Sequence, residues 1–158
     1  MTGIKLMSAQ NKAEVEEYVL KAKFLYAFIN YVNWGTTSNI AQVKVAVIGE
    51  SPITKSLNTI NKSKNIIIWE QKDLNNLNNC NIIFVPSNCP YELNEILDKF
   101  SNRPTLVITE KTGYAKKGSH INFVVVQNKL RFEVNIHTLK ETNLKVSSAL
   151  LQHAIIIR

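Results

Sequence analysis

Apolar and polar positions divide the chain into alternating helical and extended segments. Between residues 11 and 34, apolar side chains recur at spacings of three and four, which predicts a long helix ended by Gly35 and the run 36–39. After this helix come short apolar runs of the kind that form buried strands, and they predict strands at 43–48, 65–69, 81–86 and 105–109. Between these strands, helices are predicted at 53–61 and 89–100. Such alternation predicts a parallel sheet covered by helices.

The pattern changes in the last third of the chain. Two extended segments, 121–126 and 130–135, are separated by three polar residues, which predicts an antiparallel hairpin. Helices are expected at 137–142 and 146–156. The predicted fold class is therefore α/β: a mainly parallel sheet between two helical layers, with a C-terminal antiparallel hairpin and helices. We expect residues 12–158 to form a single domain, and residues 1–11 to be a disordered or cloning-derived N-terminus.

Composition and charge narrow the classes of protein that this chain resembles. With 158 residues, 45% of them hydrophobic and 20% charged, it has the make-up of one ordinary folded domain. The net charge of +7 comes almost wholly from scattered lysines, since Arg103, Arg131 and Arg158 are the only arginines. Nucleic-acid readers usually concentrate arginine and lysine on one face. No nucleic-acid partner is therefore expected.

The carboxyl ends of the predicted parallel strands are where open α/β sheets bind ligands. The residues at these ends define a candidate ligand cleft: Gly49, Glu50, Ser51, Ser87, Asn88, Thr109 and Glu110. A dinucleotide site needs several glycines after its first strand, and only one is present here. A phospho-acceptor receiver needs an aspartate after the third strand, where this chain has Pro86, Ser87 and Asn88.

Catalytic and metal-binding patterns are also missing from the sequence. Cys89 lies near a predicted helix start and could act as a nucleophile, but no motif links it to a histidine. The histidines and cysteines lack the close spacing of metal ligands. We therefore expect no enzyme activity, no cofactor and no metal. Cys80 and Cys89 flank a predicted strand, which would hold them about 20 Å apart and prevent an internal disulfide; their redox role stays open.

Several segments, taken together and in order, resemble the motifs of the YfiR-like family (DUF4154). These segments cover most of the chain: residues 21–34, 45–52, 80–85, 113–123, 130–135 and 144–151. The resemblance implies an exported, periplasmic, non-enzymatic regulator, similar to the repressor that binds a membrane diguanylate cyclase. A periplasmic location implies a signal peptide that is absent from this chain.

The resemblance also implies partners, and the chain departs from the family in its cysteines. Members commonly form homodimers, and the partner here would be the periplasmic region of a membrane-bound sensor enzyme, either a cyclase or a sensor kinase. Members with redox-linked disulfides carry further cysteines in the first strand and near the carboxyl end. This chain has none at those places, so redox switching is not carried over.

Candidate partner-binding residues lie at the end of the first helix and near the carboxyl end. Tyr31 and Trp34 are expected to be partly exposed anchors, because tyrosine and tryptophan are enriched at binding hot spots. Further candidates are polar residues that could line a groove: Glu133, Asn135, Ser147 and Ser148. The ordinary interpretation of the two serines is that either could cap the helix that begins there. The alternative function is a periplasmic small-solute-binding protein that uses the candidate ligand cleft.

Overall fold

The computed structural model of the chain describes residues 2–34 and 42–158, with side chains from residue 11 onward. The helices are α1 (Thr2–Tyr31), α2 (Ile53–Ile60), α3 (Leu93–Lys99), α4 (Ile136–Glu141) and α5 (Ser148–Leu151). The strands are β1 (Val32–Asn33), β2 (Val43–Ile48), β3 (Ile66–Gln71), β4 (Ile82–Val85), β5 (Leu106–Thr109), β6 (Ile121–Val126), β7 (Lys129–Asn135), β8 (Lys145–Val146) and β9 (Ile155–Ile157).

Seven strands form one mixed sheet in the order β3-β2-β4-β5-β6-β7-β9. All neighbouring pairs are parallel except β6 and β7, which form the predicted antiparallel hairpin. The two short strands β1 and β8 make a separate antiparallel ribbon. The predicted α/β class, with a C-terminal hairpin, is confirmed.

Both faces of the sheet are buried, which explains why its central strands are apolar at every position. On one face, α1 and α2 pack against a cluster in which Phe28 lies 5.9 Å from Phe123 and 4.9 Å from Phe132, measured between ring centroids. On the other face, Ile96 of α3 and Phe100 pack against the sheet. The helix α1 therefore crosses the face where the C-terminal elements also lie.

Several element boundaries differ from the sequence prediction, most clearly those of α1 and α3. The backbone of α1 is helical from Thr2 and ends at Tyr31, because the next two residues pair with β8. The predicted end at Gly35 and 36–39 lies outside the described residues, and the domain boundary at residue 12 stays a prediction. The helix predicted from residue 89 begins at Leu93, since Glu92 is extended.

The prediction of a helix at 146–156 is wrong. The segment instead forms the end of β8, the single turn α5 and the strand β9. The three consecutive isoleucines of β9 favour extended backbone, and they gain a parallel ladder with β7 that a helix could not provide. Among the described residues, no helix combines the length and apolar character needed to cross a membrane.

Candidate functional site

The candidate ligand cleft is brought together by the sheet. Strands β2, β4 and β5 are neighbours, and their carboxyl ends are linked by polar contacts. The Ser87 N–H donates to Glu110 Oε2 at 2.9 Å, and Asn88 Nδ2 lies 3.5 Å from the Glu50 carbonyl oxygen. Gly49 adopts φ +120°, a backbone conformation that side chains disfavour, and this turns the chain sharply after β2.

The floor of this cleft is occupied by side chains from α1. Lys21 Nζ donates to Glu110 Oε1 at 2.9 Å, and the Tyr18 hydroxyl lies 3.1 and 3.0 Å from the two carboxylate oxygens. The Glu110 and Lys21 side chains are 2% and 7% exposed. The ammonium group also lies 4.5 Å from the centre of the Tyr18 ring. A buried carboxylate at the strand ends is therefore already neutralised by the chain's own cation.

The electrostatics of this cluster keep the tyrosine protonated. Burial raises the pKa of Tyr18, and the neighbouring charge of Glu110 raises it further. The hydroxyl is therefore a hydrogen-bond donor to Glu110 throughout the physiological range. Of the cleft residues, Glu50, Ser87 and Asn88 stay exposed, whereas Ser51 is buried and accepts a hydrogen bond from the Ile53 N–H at 3.2 Å.

A row of buried polar side chains connects the cleft with the hairpin. The Thr109 hydroxyl is completely buried and donates to Asn122 Oδ1 at 2.7 Å. Asn122 Nδ2 in turn donates to Glu133 Oε1 at 3.1 Å. Thr109 and Glu133, taken from the sequence as parts of different sites, thus belong to one network across β5, β6 and β7.

The end of α1 and the start of α5 are adjacent in space. The Ser147 N–H donates to the Tyr31 carbonyl oxygen at 3.0 Å, and Val32 pairs with Val146 in the β1–β8 ribbon. The Tyr31 side chain is 47% exposed. The structure therefore brings together two parts of the predicted partner surface that lie far apart in the sequence.

Trp34 and Asn135, by contrast, have clear structural roles. Trp34 is half-buried against the core, and its indole N–H donates to the Ile29 carbonyl oxygen at 3.1 Å. Asn135 is 7% exposed; its Nδ2 donates to the Ala115 carbonyl oxygen at 2.8 Å, and its Oδ1 accepts from the Thr138 N–H. Asn135 therefore caps α4.

Of the two candidate serines, Ser147 has a structural role and Ser148 is exposed. Ser147 Oγ accepts a hydrogen bond from the Ala149 N–H at 3.2 Å, which makes Ser147 the N-cap of α5. We expect Ser147→Ala to lower the free energy of unfolding by about 1 kcal/mol, because the cap hydrogen bond is lost. Ser148→Ala, at an exposed position one residue later, is the matched control and should change stability little. Urea denaturation of both variants measures this, and equal losses would contradict the cap assignment.

A groove lies beside Ser148, between α4, α5 and β9. The groove has a volume of about 780 Å³. It has apolar walls and a cationic rim. The residues that line it are Ile136, His137, Lys140, Ser148, Leu151, Gln152, Ile156 and Arg158. We call it the C-terminal groove. Its volume and apolar walls are typical of sites that take a ligand or an anchoring side chain. Of the sequence-predicted residues, only Ser148 lines it.

The residues that the sequence interpretation missed are Tyr18, Lys21 and Asn122. Lys21 carried the clearest signal, because it falls beside the buried stripe of α1 formed by Tyr18, Ala22 and Leu25. A lysine on an apolar helix face needs a buried acidic partner. Asn122 gave no comparable signal, since polar residues are common in strands that have one exposed face.

Cys80 is buried and Cys89 is half-buried. Both are free thiols, and burial raises the pKa of each, so both are protonated at neutral pH. Within residues 2–34 and 42–158, no three histidine, cysteine, aspartate or glutamate side chains are placed to hold a metal ion.

Comparison with known families supports the resemblance read from the motifs. The sequence profile of a family described as YfiR/HmsC-like matches residues 18–155, which is most of the chain. Comparison with curated proteins finds no match. The matched family is known as a family of periplasmic regulator domains. With the motifs, the mixed sheet and this match in agreement, the chain belongs to the YfiR/HmsC-like family.

Proposed function

We propose that this protein regulates a membrane-bound signalling enzyme, a diguanylate cyclase or a sensor kinase, by direct contact in the periplasm. The observation that carries the proposal is the exposed Tyr31, whose backbone carbonyl oxygen accepts a hydrogen bond from the N–H of Ser147, the residue before Ser148 of the C-terminal groove. We call Tyr31 together with this groove the docking surface. Tyrosine is enriched among the few residues that carry most of the binding energy in protein interfaces.

Charge on the groove rim favours a partner segment with acidic residues. Lys140 and Arg158 line the groove, and both are exposed. His137 also lines it, but its Nε2 lies 3.7 Å from Glu141 Oε1, so its charge when protonated is partly balanced. Exposed rim charges contribute mainly to the association rate and to the choice of partner, whereas the apolar walls supply affinity.

The alternative, solute binding in the candidate ligand cleft, has less support from the geometry. A solute at the strand ends would meet Glu110, whose side chain is buried beneath Lys21 and Tyr18. A solute that bound the Glu110 carboxylate would have to displace Lys21 from this buried ion pair, which is costly because it leaves uncompensated charge. The partner-contact function needs no such rearrangement.

Complementation of a deletion strain tests the proposal. We expect deletion to change the cellular level of cyclic-di-GMP or the phosphorylation of a response regulator, and the wild-type chain to restore it. Tyr31→Ala should fail to restore the output, because loss of a central aromatic anchor weakens binding by more than about 1 kcal/mol. Leu20→Ala, which truncates a comparably exposed residue of the same helix, should restore it.

Two results would contradict the proposal. One is a deletion that leaves both outputs unchanged. The other is full restoration by a Tyr31→Ala chain that is present at the wild-type level.

A further inference from the structure

A polar groove lies at the edge of the sheet where β2, β4 and β5 begin, opposite the candidate ligand cleft. It consists of two adjoining cavities of about 420 and 290 Å³. Asn78, Asn79 and Cys80, which lead into β4, line both cavities. We call it the asparagine groove, because Asn76 and Asn81 also line it. It shares no residue with the docking surface.

Each half of the asparagine groove contains one tryptophan and one cation. Trp34 and Arg103 line the larger cavity, whereas Trp69 and Lys44 line the smaller one. These two tryptophans are the only ones in the sequence. Two neighbouring subsites of the same composition suit a ligand built from repeated units, with one unit in each subsite.

The indole N–H groups of both tryptophans are already used within the protein. Trp34 Nε1 donates to the Ile29 carbonyl oxygen at 3.1 Å, and Trp69 Nε1 donates to Gln71 Oε1 at 2.9 Å. Both side chains are half-buried, so each ring is held in place and offers a ligand its surface. The face of an aromatic ring is electronegative, and it attracts the weakly positive C–H groups on one side of a sugar ring.

The asparagines supply hydrogen-bonding groups between the two subsites. In the part of the chain that the structure describes, the exposed side chains of Asn76 and Asn79 make no hydrogen bond. Asn78 Oδ1 accepts from Arg103 Nη1 at 2.9 Å, which leaves the Asn78 amide N–H groups for a ligand. A carboxamide presents both a donor and an acceptor, as a hydroxyl group does. A ligand rich in hydroxyl groups therefore matches this wall, whereas an acyl chain would make none of these bonds.

The charges in the asparagine groove favour an anionic ligand. Among the described residues that line it, Lys44 and Arg103 are the charged ones, and no aspartate or glutamate is present. Lys44 forms no ion pair with any described residue. Arg103 uses one nitrogen on Asn78, and the rest of its guanidinium fork remains for an anion.

We propose that the asparagine groove binds an acidic oligosaccharide of two or more sugar units. One sugar ring stacks on Trp34 with its anionic group toward Arg103. The next ring stacks on Trp69 with its anionic group toward Lys44, and the asparagine amides bind the hydroxyl groups between them. This binding is independent of the contact with a membrane enzyme.

Tryptophan fluorescence reports on both subsites, because the chain has no other tryptophan. The purified chain is titrated with a panel of carboxylated and sulfated oligosaccharides, each matched with its neutral methyl ester or unsulfated form. At least one acidic member should change the fluorescence until it saturates, and its neutral form should bind at least about ten-fold more weakly. Trp34→Phe and Trp69→Phe keep an aromatic ring and should each remove part of the signal.

An isosteric charge change tests the wall that the two subsites share. Asn79→Asp should raise the dissociation constant about ten-fold, because the added negative charge repels the ligand. The matched control Asn94→Asp, exposed on α3, should leave it unchanged.

Several results would overturn the proposal. They are a panel in which no acidic oligosaccharide binds, neutral forms that bind equally well, one tryptophan that carries the whole signal, and asparagine variants that behave alike. A stronger response to a nucleoside monophosphate than to any saccharide would also overturn it, since nucleotide bases stack on tryptophan too.

Discussion

Replacing Lys21 by methionine is expected to lower the free energy of unfolding by about 3–5 kcal/mol, the cost of leaving a buried charge without its partner. The Glu110 carboxylate is 2% exposed and receives the Lys21 ammonium at 2.9 Å. Methionine retains the apolar stem of the lysine but removes the positive charge. The Tyr18 hydroxyl and the Ser87 N–H would remain as donors, and neither carries a charge. Urea or guanidinium denaturation measures the loss.

Two further variants distinguish the stability lost by breaking the buried ion pair from the stability lost by removing any surface lysine. Lys23→Met changes an exposed lysine of the same helix and should alter stability by less than about 0.5 kcal/mol. Lys21→Met/Glu110→Gln removes both charges and should recover most of the stability lost in Lys21→Met. If Lys21→Met is no more destabilised than Lys23→Met, the ion pair does not hold α1 on the sheet.

The free energy of unfolding is expected to fall by about 3 kcal/mol as the pH drops from 6.5 to 4, because of the titration of His120 alone. His120 is 6% exposed, and its Nδ1 accepts a hydrogen bond from the Val107 N–H at 2.9 Å. Burial lowers the pKa of His120 from 6.5 to about 4. Between these values the unfolded chain binds a proton that the folded chain excludes. The stabilising contribution is therefore complete above pH 6.5 and is lost as the pH falls through 4.

Comparison with a variant isolates this contribution from the carboxylates that titrate in the same range. His120→Asn retains a side-chain acceptor for the Val107 N–H but cannot bind a proton near neutral pH. The difference in unfolding free energy between wild type and His120→Asn should therefore shrink by about 3 kcal/mol from pH 7 to pH 4. A difference that stays constant with pH would contradict a buried, neutral histidine.

The central sheet could be predicted from sequence because its strands carry their signal locally. Val43–Ile48 is apolar throughout and is bounded by turn residues, and the observed strand has the same limits as the predicted one. The C-terminal segment could not be predicted in this way. Residues 155–157 are strand because β7 offers an edge, and that edge depends on contacts remote in sequence.

The candidate site, like the fold, could be predicted only in part from the sequence. The residue types at the strand ends identified the cleft, but only the path of α1 across the sheet shows that Lys21 fills it. Asn135 ends β7 and was predicted to line a polar groove, whereas its position before α4 makes it a cap. Tyr31 was predicted as exposed on its aromatic character, and its proximity to Ser147 depends on the β1–β8 ribbon.

Site-specific photo-crosslinking in the cells that naturally produce the protein tests the proposed function most directly. A photoreactive amino acid at Tyr31 should attach the chain to a membrane protein that carries a diguanylate cyclase or histidine kinase domain. The same group at Asn94, exposed on α3 and on the opposite side of the sheet, should not. Equal crosslinking of such an enzyme from both positions, or none from Tyr31, would contradict regulation through the docking surface.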